Sequence, residues 1–457
     1  MPTSLIVLAA GQGSRMQSEM PKVLHEVGHA PLLLHALRAG ASVGPDRVVV
    51  VVGHGGDEVA AALKASEMDA AIVRQEEQLG TGHAVAQAQA ALSGFAGDAI
   101  VLYGDTPFIT PETLQAMLDA RAGGADIVVL GFEAAVPGRY GRLVVAQEGR
   151  EGAAGDRLER IVEAKDATPE ELAITLCNSG VIAADAQVLF HLVGQVGRDN
   201  AAGEYYLTDI VALARAGRMS ARVVTCPEAE TLGVNTRADL AAAEAAFQAG
   251  KRAEAMENGA TLTAPETVFF AHDTHLGRDV VVEPHVVFGP EVTVESGATI
   301  RAFSHLEGCH VSEGCVIGPY ARLRPGAELD RGVRVGNFVE VKAAQVAEGA
   351  KINHLSYIGD AEVGARANIG AGTITCNYDG VFKHRTVIGA DAFIGSNTAL
   401  VAPVRVGDGA MTGSGSVVTQ DVPDGALALG RSKQVNKDGF AARLMAKLRA
   451  AKARGTH

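Results

Sequence analysis

Glycines and basic residues lie close together near the start of the chain. Gly11 and Gly13 follow a short apolar segment, and Arg15 and Lys22 come next. Glycines at a strand-to-helix turn let backbone N–H groups approach phosphate oxygens. Arg15 and Lys22 would then neutralise the charge of a triphosphate. A merely tight turn is the alternative interpretation of the same glycines.

A dinucleotide-binding turn fits this segment poorly. Met16 stands where the third glycine of that motif is required. The next predicted strand ends in Val52-Gly53-His54, without the acidic residue that would bind a ribose.

A carboxylate follows a second apolar segment in the run Tyr103-Gly104-Asp105. The carboxyl ends of parallel strands face the ligand crevice of an open sheet. Asp105 placed there could hold Mg²⁺ against substrate phosphates, although a turn or a helix cap would use the same residue.

His354 is the third candidate. It is the third residue of a hexapeptide counted from Ile352, which places it near a turn and outside an apolar stack. Histidine suits a general base near neutral pH. A histidine outside a core is usually only solvated, so its type and position alone leave this role open.

A six-residue hydrophobic period fills the C-terminal half and must position His354. Neither a helix nor an ordinary strand has this period, but a parallel β-helix does, because each hexapeptide forms one face of a coil and points its apolar residue inward. The repeating residues are Leu276, Val282, Phe288, Val294, Ile300, Leu306, Ile317, Leu323, Leu329, Val335, Val341, Ile352, Ile358, Val363, Ile369, Ile388, Ile394, Leu400 and Val406. The segment Cys376–Arg385 interrupts the count, and such a loop is often functional.

The N-terminal half alternates strand-like and helix-like segments, which predicts a Rossmann-like α/β domain with a mostly parallel sheet. Predicted strands are Leu5–Ala10, Arg47–Val52, Ala70–Arg74, Ala99–Tyr103 and Ile127–Phe132; predicted helices are His83–Leu92 and Pro111–Arg121, the latter capped by Thr110. We predict domains over residues 1–235 and 259–457, joined by a helical linker over 236–258 that opens with a T-x-x-D pattern and stops at Gly259. The tail from Arg431 to His457 holds eight Lys or Arg and one Asp, which predicts a basic helix or a frayed terminus.

Bulk properties narrow the function classes. The chain has 457 residues, more than one hydrophobic core usually serves, and a net charge of −13, which argues against a general nucleic-acid binder. Five cysteines without a C-x-x-C pair favour a reducing cytoplasm. We expect no signal peptide and no membrane span.

Several motifs of the chain resemble those of a known enzyme family. The motifs LAAGQGSRM, PKVLH, QLGTGHA, YGDTP, IVEAKDA, CNSG and GVNTRADL resemble the sugar-nucleotide pyrophosphorylases. Together with ARLRPGAEL, VGNFVEVK, NHLSYIGDAEVG and NIGAGTITCNYDG, the chain resembles, over nearly its full length, the bacterial bifunctional N-acetylglucosamine-1-phosphate uridylyltransferase/glucosamine-1-phosphate N-acetyltransferases. The resemblance implies a C-terminal left-handed parallel β-helix and synthesis of UDP-N-acetylglucosamine for peptidoglycan and lipopolysaccharide.

For the N-terminal domain, the resemblance implies a site that transfers UMP from UTP to N-acetylglucosamine-1-phosphate. The implied uracil and phosphate contacts are Leu8, Ala9, Ala10, Gly11, Lys22, Gln75, Gly80 and Thr81. Arg15 joins this predicted UTP site through its charge. The implied sugar contacts are Tyr103, Gly104, Gly141, Glu163 and Asn178, and the implied Mg²⁺ ligands are Asp105 and Asn235. Gln12 and Ser14 depart from the Lys and Thr that relatives commonly carry; loss of the cation at position 12 could weaken triphosphate binding.

For the C-terminal domain, the resemblance makes His354 the general base that activates the amine of glucosamine-1-phosphate for attack on acetyl-CoA. Implied sugar-phosphate contacts are Arg324, Lys342, Tyr357 and Asn368, and implied acetyl-CoA contacts are Ala371, Asn377, Tyr378, Ser396, Ser414 and Arg431. Relatives often carry Ala at position 414. The resemblance also implies a homotrimer in which the loop at 376–385 reaches an adjacent subunit.

Two alternative functions are compatible with the sequence, one of them enzymatic and the other non-catalytic. In one, the chain is a glucose- or mannose-1-phosphate nucleotidylyltransferase whose β-helix only assembles subunits, which His354, Arg324 and Lys342 argue against. In another, both domains are non-catalytic scaffolds, which Asp105, Lys22 and His354 argue against. Cys376 could be an acyl-carrying nucleophile, but we interpret it as a bystander because direct transfer needs only one base.

Overall fold

The computed structural model describes residues 1–66, 68–146 and 157–454. The chain folds into two compact units, Met1–Lys251 and Arg252–His457. The predicted domain boundaries at 235 and 259 remain a prediction. None of the helices in the described ranges is long and apolar enough to cross a membrane.

The first unit is built around a mostly parallel sheet. Its main strands, in spatial order, are Ala221–Thr225, Ile127–Glu133, Leu176–Asp185, Asp98–Tyr103, Thr3–Ala9, Arg47–Val52 and Ala71–Arg74. Only Leu176–Asp185 runs antiparallel to its neighbours in this order. A ribbon of Arg142–Val145 and Leu158–Val162 joins the sheet through Leu176–Asp185, and Glu26–Val27 pairs with Ala30–Pro31 in a separate hairpin.

Helices cover both faces of this sheet. They are Leu32–Ala41, Gly56–Ala65, Thr81–Gln87, Pro111–Ala122, Pro169–Leu172, Ala186–Val193 and Asp209–Ala216, with short 3₁₀ turns at Ser14–Met16, Lys22–Leu24 and Glu228–Thr231. Successive residues of the first strand alternate between two cores, with Leu5 and Val7 on one side and Ile6 and Leu8 on the other. Burial on both faces explains why its sequence is a continuous apolar run.

The strand predictions are confirmed to within two residues at each end. The helix from Pro111 is confirmed, and the Thr110 hydroxyl caps it by accepting from the backbone N–H of Thr113. The helix predicted over His83–Leu92 is wrong at both ends, because it begins at Thr81 and ends at Gln87. Residues 88–92 form turns instead.

The predicted connecting helix extends from Arg237 to Glu257. Its T-x-x-D start forms the expected reciprocal cap: Thr236 Oγ1 accepts from the Asp239 N–H, and Asp239 Oδ2 accepts from the Thr236 N–H. Gly259, just beyond the helix, has φ +96°, which favours glycine.

The second unit is the predicted left-handed parallel β-helix of hexapeptide repeats. The strands of its first face are Thr261–Leu262, Val281–Val282, Thr299–Ile300, Val316–Ile317, Arg334–Asn337, Lys351–His354, Asn368–Ile369, Phe393–Ile394, Met411–Thr412 and Leu427–Ala428. The second face holds His275–Leu276, Val292–Val294, Cys309–Val311, Ala327–Leu329, Thr386–Ile388 and Val404–Val406. The third face holds Val287–Phe288, His305–Leu306, Arg322–Leu323, Ile374–Cys376, Ala399–Val401 and Val417–Val418, and the longer strands Glu340–Val346 and Tyr357–Val363 span the third and second faces.

The inward residues of these strands form one continuous core, in which the predicted repeat residues from Val282 to Val406 are buried and Leu276 is partly buried. One coil takes 17 residues from Ile352 to Ile369 but 25 from Ile369 to Ile394. The extra residues form the predicted loop. The basic tail includes a helix at Phe440–Ala453, and its last three residues lie outside the described ranges.

We predict that the inward position of a strand carries the stability of the second unit. Val281 and Val282 are neighbours on one strand, but only Val282 is fully buried. Val282→Ala should destabilise this unit by roughly 2–3 kcal/mol, since it removes buried methyl groups and leaves a cavity. The matched change Val281→Ala should cost well under 1 kcal/mol. Thermal unfolding of both variants measures the difference, and equal shifts would contradict the inward assignment.

Candidate functional sites

In the first unit, a cavity of about 310 Å³ opens at the carboxyl ends of the central strands. Its lining includes the predicted nucleotide contacts Leu8, Ala9, Ala10, Gly11, Lys22, Gln75, Gly80, Thr81, Tyr103 and Asp105. These residues come from four separate sequence segments. The topology brings them together because strands Thr3–Ala9 and Asp98–Tyr103 are parallel neighbours.

Four predicted charged or amide side chains converge beside this cavity. Lys22 Nζ forms an ion pair with the Asp105 carboxylate and donates to Asn235 Oδ1 at 3.2 Å. Arg15 donates to the same Asn235 oxygen at 2.9 Å. Asp105 and Asn235 therefore place oxygen atoms around one positively charged group, which is the environment that a divalent cation requires.

The three predicted sugar contacts from later in the chain also come together. The Asn178 N–H donates to Gly141 O at 2.8 Å, and a Cβ added to Gly141 would lie 3.5 Å from Glu163 Oε1. Burial raises the pKa of Glu163, although a hydrogen bond from Thr208 Oγ1 at 3.2 Å opposes the shift.

A bulge between Asn178 and Ile182 brings this group towards Tyr103. Gly180 has φ +92°, and a Cβ there would lie 2.6 Å from the Tyr103 ring, so only glycine fits. Burial raises the pKa of the Tyr103 hydroxyl, with smaller contributions from the charges of Asp105 and Glu163. Tyr103 therefore remains a hydrogen-bond donor at neutral pH. Gly104 donates its N–H to Leu8 O, which ties the two strand ends together.

Sequence reasoning missed several residues of this site. His83 Nδ1 lies 3.0 Å from Gln75 Nε2, which also donates to Gly80 O. Gln78 donates to Ala10 O at 2.6 Å, and Gln78 and Glu204 line the cavity. Gln78 and His83 belong to the QLGTGHA motif, and this motif is the sequence feature from which both residues could have been predicted. Gln12 lies in an adjoining cavity with His54 and Arg74, and this cavity shares Gln75 and Gln78 with the first one.

In the second unit, His354 ends the strand Lys351–His354 and its side chain is exposed. Backbone hydrogen bonds stack one residue of each coil on the next: Leu355 N–H to Asn337 O, Gly372 N–H to His354 O, Asn397 N–H to Ala371 O, and Gly415 N–H to Ser396 O. The stacked residues are Asn337, His354, Ala371, Ser396 and Ser414, and we call this row the His354 file. Three predicted acetyl-CoA contacts, Ala371, Ser396 and Ser414, thus lie in line with His354.

Arg431 extends this row. Its guanidinium donates to Ser414 O at 2.7 Å. Position 414 contributes its backbone carbonyl to this contact. Serine at this position therefore makes the same contact that alanine would make. At a strand spacing of about 4.8 Å, four coil steps from His354 to the level of Arg431 span roughly 19 Å.

Three of the predicted sugar-phosphate contacts, Arg324, Lys342 and Tyr357, form a second group. Asn368 is separate from them because it lies on the first face. Arg324 donates to Glu340 Oε1 at 2.8 Å, and Lys342 Nζ lies 3.9 Å from Asp360 Oδ2. Asn377 donates to the Asp360 carboxylate and, at 3.3 Å, to Tyr357 Oη. The predicted acetyl-CoA contact Asn377 therefore lies with the sugar-phosphate group.

Lys383, which sequence reasoning also missed, adds a cation to this second group. Its contact with Lys342, aided by burial, lowers the pKa of the Lys342 ammonium, while Asp360 opposes the shift. The Arg324 guanidinium contributes to the same repulsion. Three cations held this close favour binding of an anion such as a phosphate monoester.

The inserted loop is held by its own hydrogen bonds. Asp379 accepts from His384 and from the backbone N–H groups of Phe382 and Val381, which lowers the pKa of Asp379 to about 2. Val381 and Phe382 are 74% and 67% exposed. The predicted contact Tyr378 is also exposed and donates to Gly380 O within the loop.

An exposed row of aromatic rings follows the corner next to the His354 file. His285, Phe303, Tyr320 and Phe338 stack with ring centroids 4.9, 4.9 and 5.1 Å apart. Leu355, directly after His354, continues the row and is 61% exposed. We call these five residues the aromatic ladder.

Comparison with known proteins gives consistent matches. Residues 5–169 match the MobA-like NTP transferase domain, and residues 385–420 match the bacterial transferase hexapeptide (six repeats). The chain is similar to the "Bifunctional protein GlmU" of Jannaschia sp. (strain CCS1), with 64% identity over 99% of this chain and 97% of that protein. It is 67% identical to that of Dinoroseobacter shibae, over 99% of both chains. A solved UDP-glucose pyrophosphorylase is similar over 55% of this chain and 100% of its own, at 19% identity and a TM-score of 0.45.

Proposed function

The chain belongs to the family of bifunctional GlmU proteins, and we propose that its two units carry out consecutive steps of UDP-N-acetylglucosamine synthesis. The second unit acetylates glucosamine-1-phosphate with acetyl-CoA. The first unit then transfers UMP from UTP to the N-acetylglucosamine-1-phosphate and releases pyrophosphate. The observation that carries the proposal is the presence of two separate groups: Lys22, Asp105 and Asn235 in one unit, and His354 with its file in the other.

In the uridylyl transfer, a phosphate oxygen of the sugar attacks the α-phosphorus of UTP and pyrophosphate leaves. No nucleophilic side chain is required, because positioning and charge neutralisation supply the catalysis. Lys22 and Arg15 would neutralise the triphosphate. Asp105 and Asn235 would hold Mg²⁺, which when bound withdraws charge from the phosphates. Glu163, Asn178 and Gly141 would contact the sugar, and Gln75, Gly80 and Thr81 the base and its phosphates.

In the acetyl transfer, the amine of glucosamine-1-phosphate attacks the thioester carbonyl and the CoA sulfur leaves. His354 would accept the proton that the amine must lose. The cationic group of Arg324, Lys342 and Lys383 would bind the sugar phosphate, with Tyr357 contributing a further contact. Acetyl-CoA would lie along Ala371, Ser396, Ser414 and Arg431, and Asn377 and Tyr378 would approach it from the inserted loop.

We further propose that the chain forms a homotrimer through its β-helix. Two exposed apolar features support this: the aromatic ladder beside His354, and the loop tip at Val381 and Phe382. Patches of this kind commonly mark protein interfaces. A partner packed on the ladder would border His354 and exclude water from the acetyl-transfer site. We place the enzyme in the cytoplasm, where UTP and acetyl-CoA are produced.

Asp105→Ala should abolish pyrophosphate release from UTP and N-acetylglucosamine-1-phosphate, with a loss on the order of 100-fold or more, while acetyl transfer persists. The variant removes the only carboxylate proposed to hold the metal. Asp199→Ala, at an exposed position, is the matched control and should leave both activities intact. Loss of both activities in a folded Asp105 variant would argue against two independent sites.

His354→Ala should lower acetyl transfer by roughly 100- to 10,000-fold and spare uridylyl transfer, because a positioned base is lost. His310→Ala is the control: His310 lies on the same β-helix and contacts Glu295 at 3.0 Å. Thiol release from acetyl-CoA measures the first activity and pyrophosphate release the second. Retained acetyl transfer in the variant would assign the proton to another group. If the unmutated protein itself showed uridylyl transfer and no acetyl transfer, the chain would be a nucleotidylyltransferase with a structural β-helix.

A chain that ends at Gly430 should lose affinity for acetyl-CoA by roughly 10- to 100-fold, the value of a charge-assisted contact to a CoA phosphate. A chain that ends at Gly439 keeps Arg431 and lacks the basic helix, so its loss should be smaller and should disappear at high salt. Michaelis constants and oligomeric mass are measured for both. An unchanged constant and mass in the shorter chain would mean that the tail is only a solubilising extension.

A further inference from the structure

Asn337 lies directly beneath His354 in the preceding coil. The two residues are paired in register, and Leu355 N–H donates to Asn337 O at 3.0 Å. The following residues, Phe338 and Leu355, turn their corners with the same left-handed φ values of +55° and +52°. The backbone of both coils therefore follows the same path at this corner, and Asn337 and His354 emerge at equivalent positions.

The side chains of the two residues meet at one defined pair of atoms. His354 Nδ1 lies 2.9 Å from Asn337 Oδ1. An amide oxygen only accepts hydrogen bonds, so Nδ1 must carry the proton. The neutral imidazole then has its free electron pair on Nε2, the nitrogen that points away from Asn337.

The charged side chains around the contact between His354 and Asn337 are positive. A cavity of about 330 Å³ is lined by His354, Asn337, Asn353 and the two cations Arg301 and Arg334. Its lining, within the described residues, includes no carboxylate. An uncharged acceptor orients the ring without adding the stabilisation of the imidazolium that a carboxylate would add.

We propose that Asn337 is a positioning residue for acetyl transfer: it fixes the tautomer and the ring orientation of His354. This inference rests on the proposed acetyltransferase function. As the C–N bond forms at the thioester carbonyl, the proton of the amine passes to Nε2. The C–S bond breaks with its electron pair on sulfur, and the imidazolium returns the proton to the thiolate. Throughout, Nδ1–H remains bonded to Asn337 Oδ1.

Three variants test the proposal: Asn337→Ala, Asn337→Asp, and Gln345→Ala as an amide-to-alanine control at an exposed position of the same β-helix. Asn337→Ala should lower kcat for acetyl transfer roughly 10- to 100-fold, with both Michaelis constants changed less than about threefold. Uridylyl transfer, measured in the same preparation, should be unchanged and reports on the integrity of the chain. Gln345→Ala should alter neither activity.

Asn337→Asp separates positioning from a structural role. A carboxylate beside Nδ1 keeps the acceptor but stabilises the imidazolium, so the acidic limb of the kcat profile should move to higher pH by about one unit. Activity should recover towards the parent value at alkaline pH. A merely structural loss would lower kcat equally at every pH, and an unmoved limb would overturn the proposal.

A double variant shows whether Asn337 acts through His354. In a His354→Ala background, Asn337→Ala should cause no further loss, because the two residues act as a unit. Additive losses would contradict the proposal. If the unmutated protein shows no acetyl transfer, the proposed function itself fails. If it is active and either His354→Ala or Asn337→Ala leaves acetyl transfer unchanged, the present inference fails and the function stands.

Discussion

The stacking of each coil on the next through backbone hydrogen bonds is the constraint on which the second unit depends. Strands of neighbouring coils lie about 4.8 Å apart, so equivalent residues form straight rows along the β-helix. A row can be apolar and buried, aromatic and exposed, or, as we propose for the row of His354, catalytic. The buried core, the aromatic ladder and the His354 file are three rows of one lattice.

This lattice explains how exposed side chains can be positioned without a surrounding core. His354 lies outside the apolar stack, yet its backbone is bonded to the coils on either side and its ring to Asn337. The spacing of coils also sets how far a ligand along the file can extend. The inserted loop departs from the lattice and forms its own hydrogen-bond network around Asp379.

The first unit positions its site residues in a different way. Parallel strands deliver Leu8 and Tyr103 to one edge of the sheet, and turns after these strands supply Lys22 and Asp105. Opposite charges then organise the edge: Lys22 and Arg15 converge on Asp105 and Asn235. In the second unit, by contrast, Arg324, Lys342 and Lys383 repel one another. Such a cluster has a lower free energy when an anion is bound.

The sequence by itself determined the architecture, because both folds rest on periodic patterns. The six-residue period placed the inward residues from Val282 to Val406, and the continuous apolar runs placed the parallel strands. Local chemistry also sufficed for the caps at Thr110 and Thr236. The motifs predicted Lys22, Asp105 and Asn235 as parts of one site. The tertiary structure brings them together although Lys22 and Asn235 are 213 residues apart in the chain.

Only the tertiary structure decided which side chains touch. The antiparallel strand Leu176–Asp185, its bulge and the fit of Gly180 against Tyr103 depend on long-range pairing that no local pattern encodes. The same holds for His83 beside Gln75, for Lys383 beside Lys342, and for Asn337 beneath His354. Periodicity fixes which residues face inward, but the register of distant strands fixes which outward side chains meet, and that register is set by the packing of the whole chain.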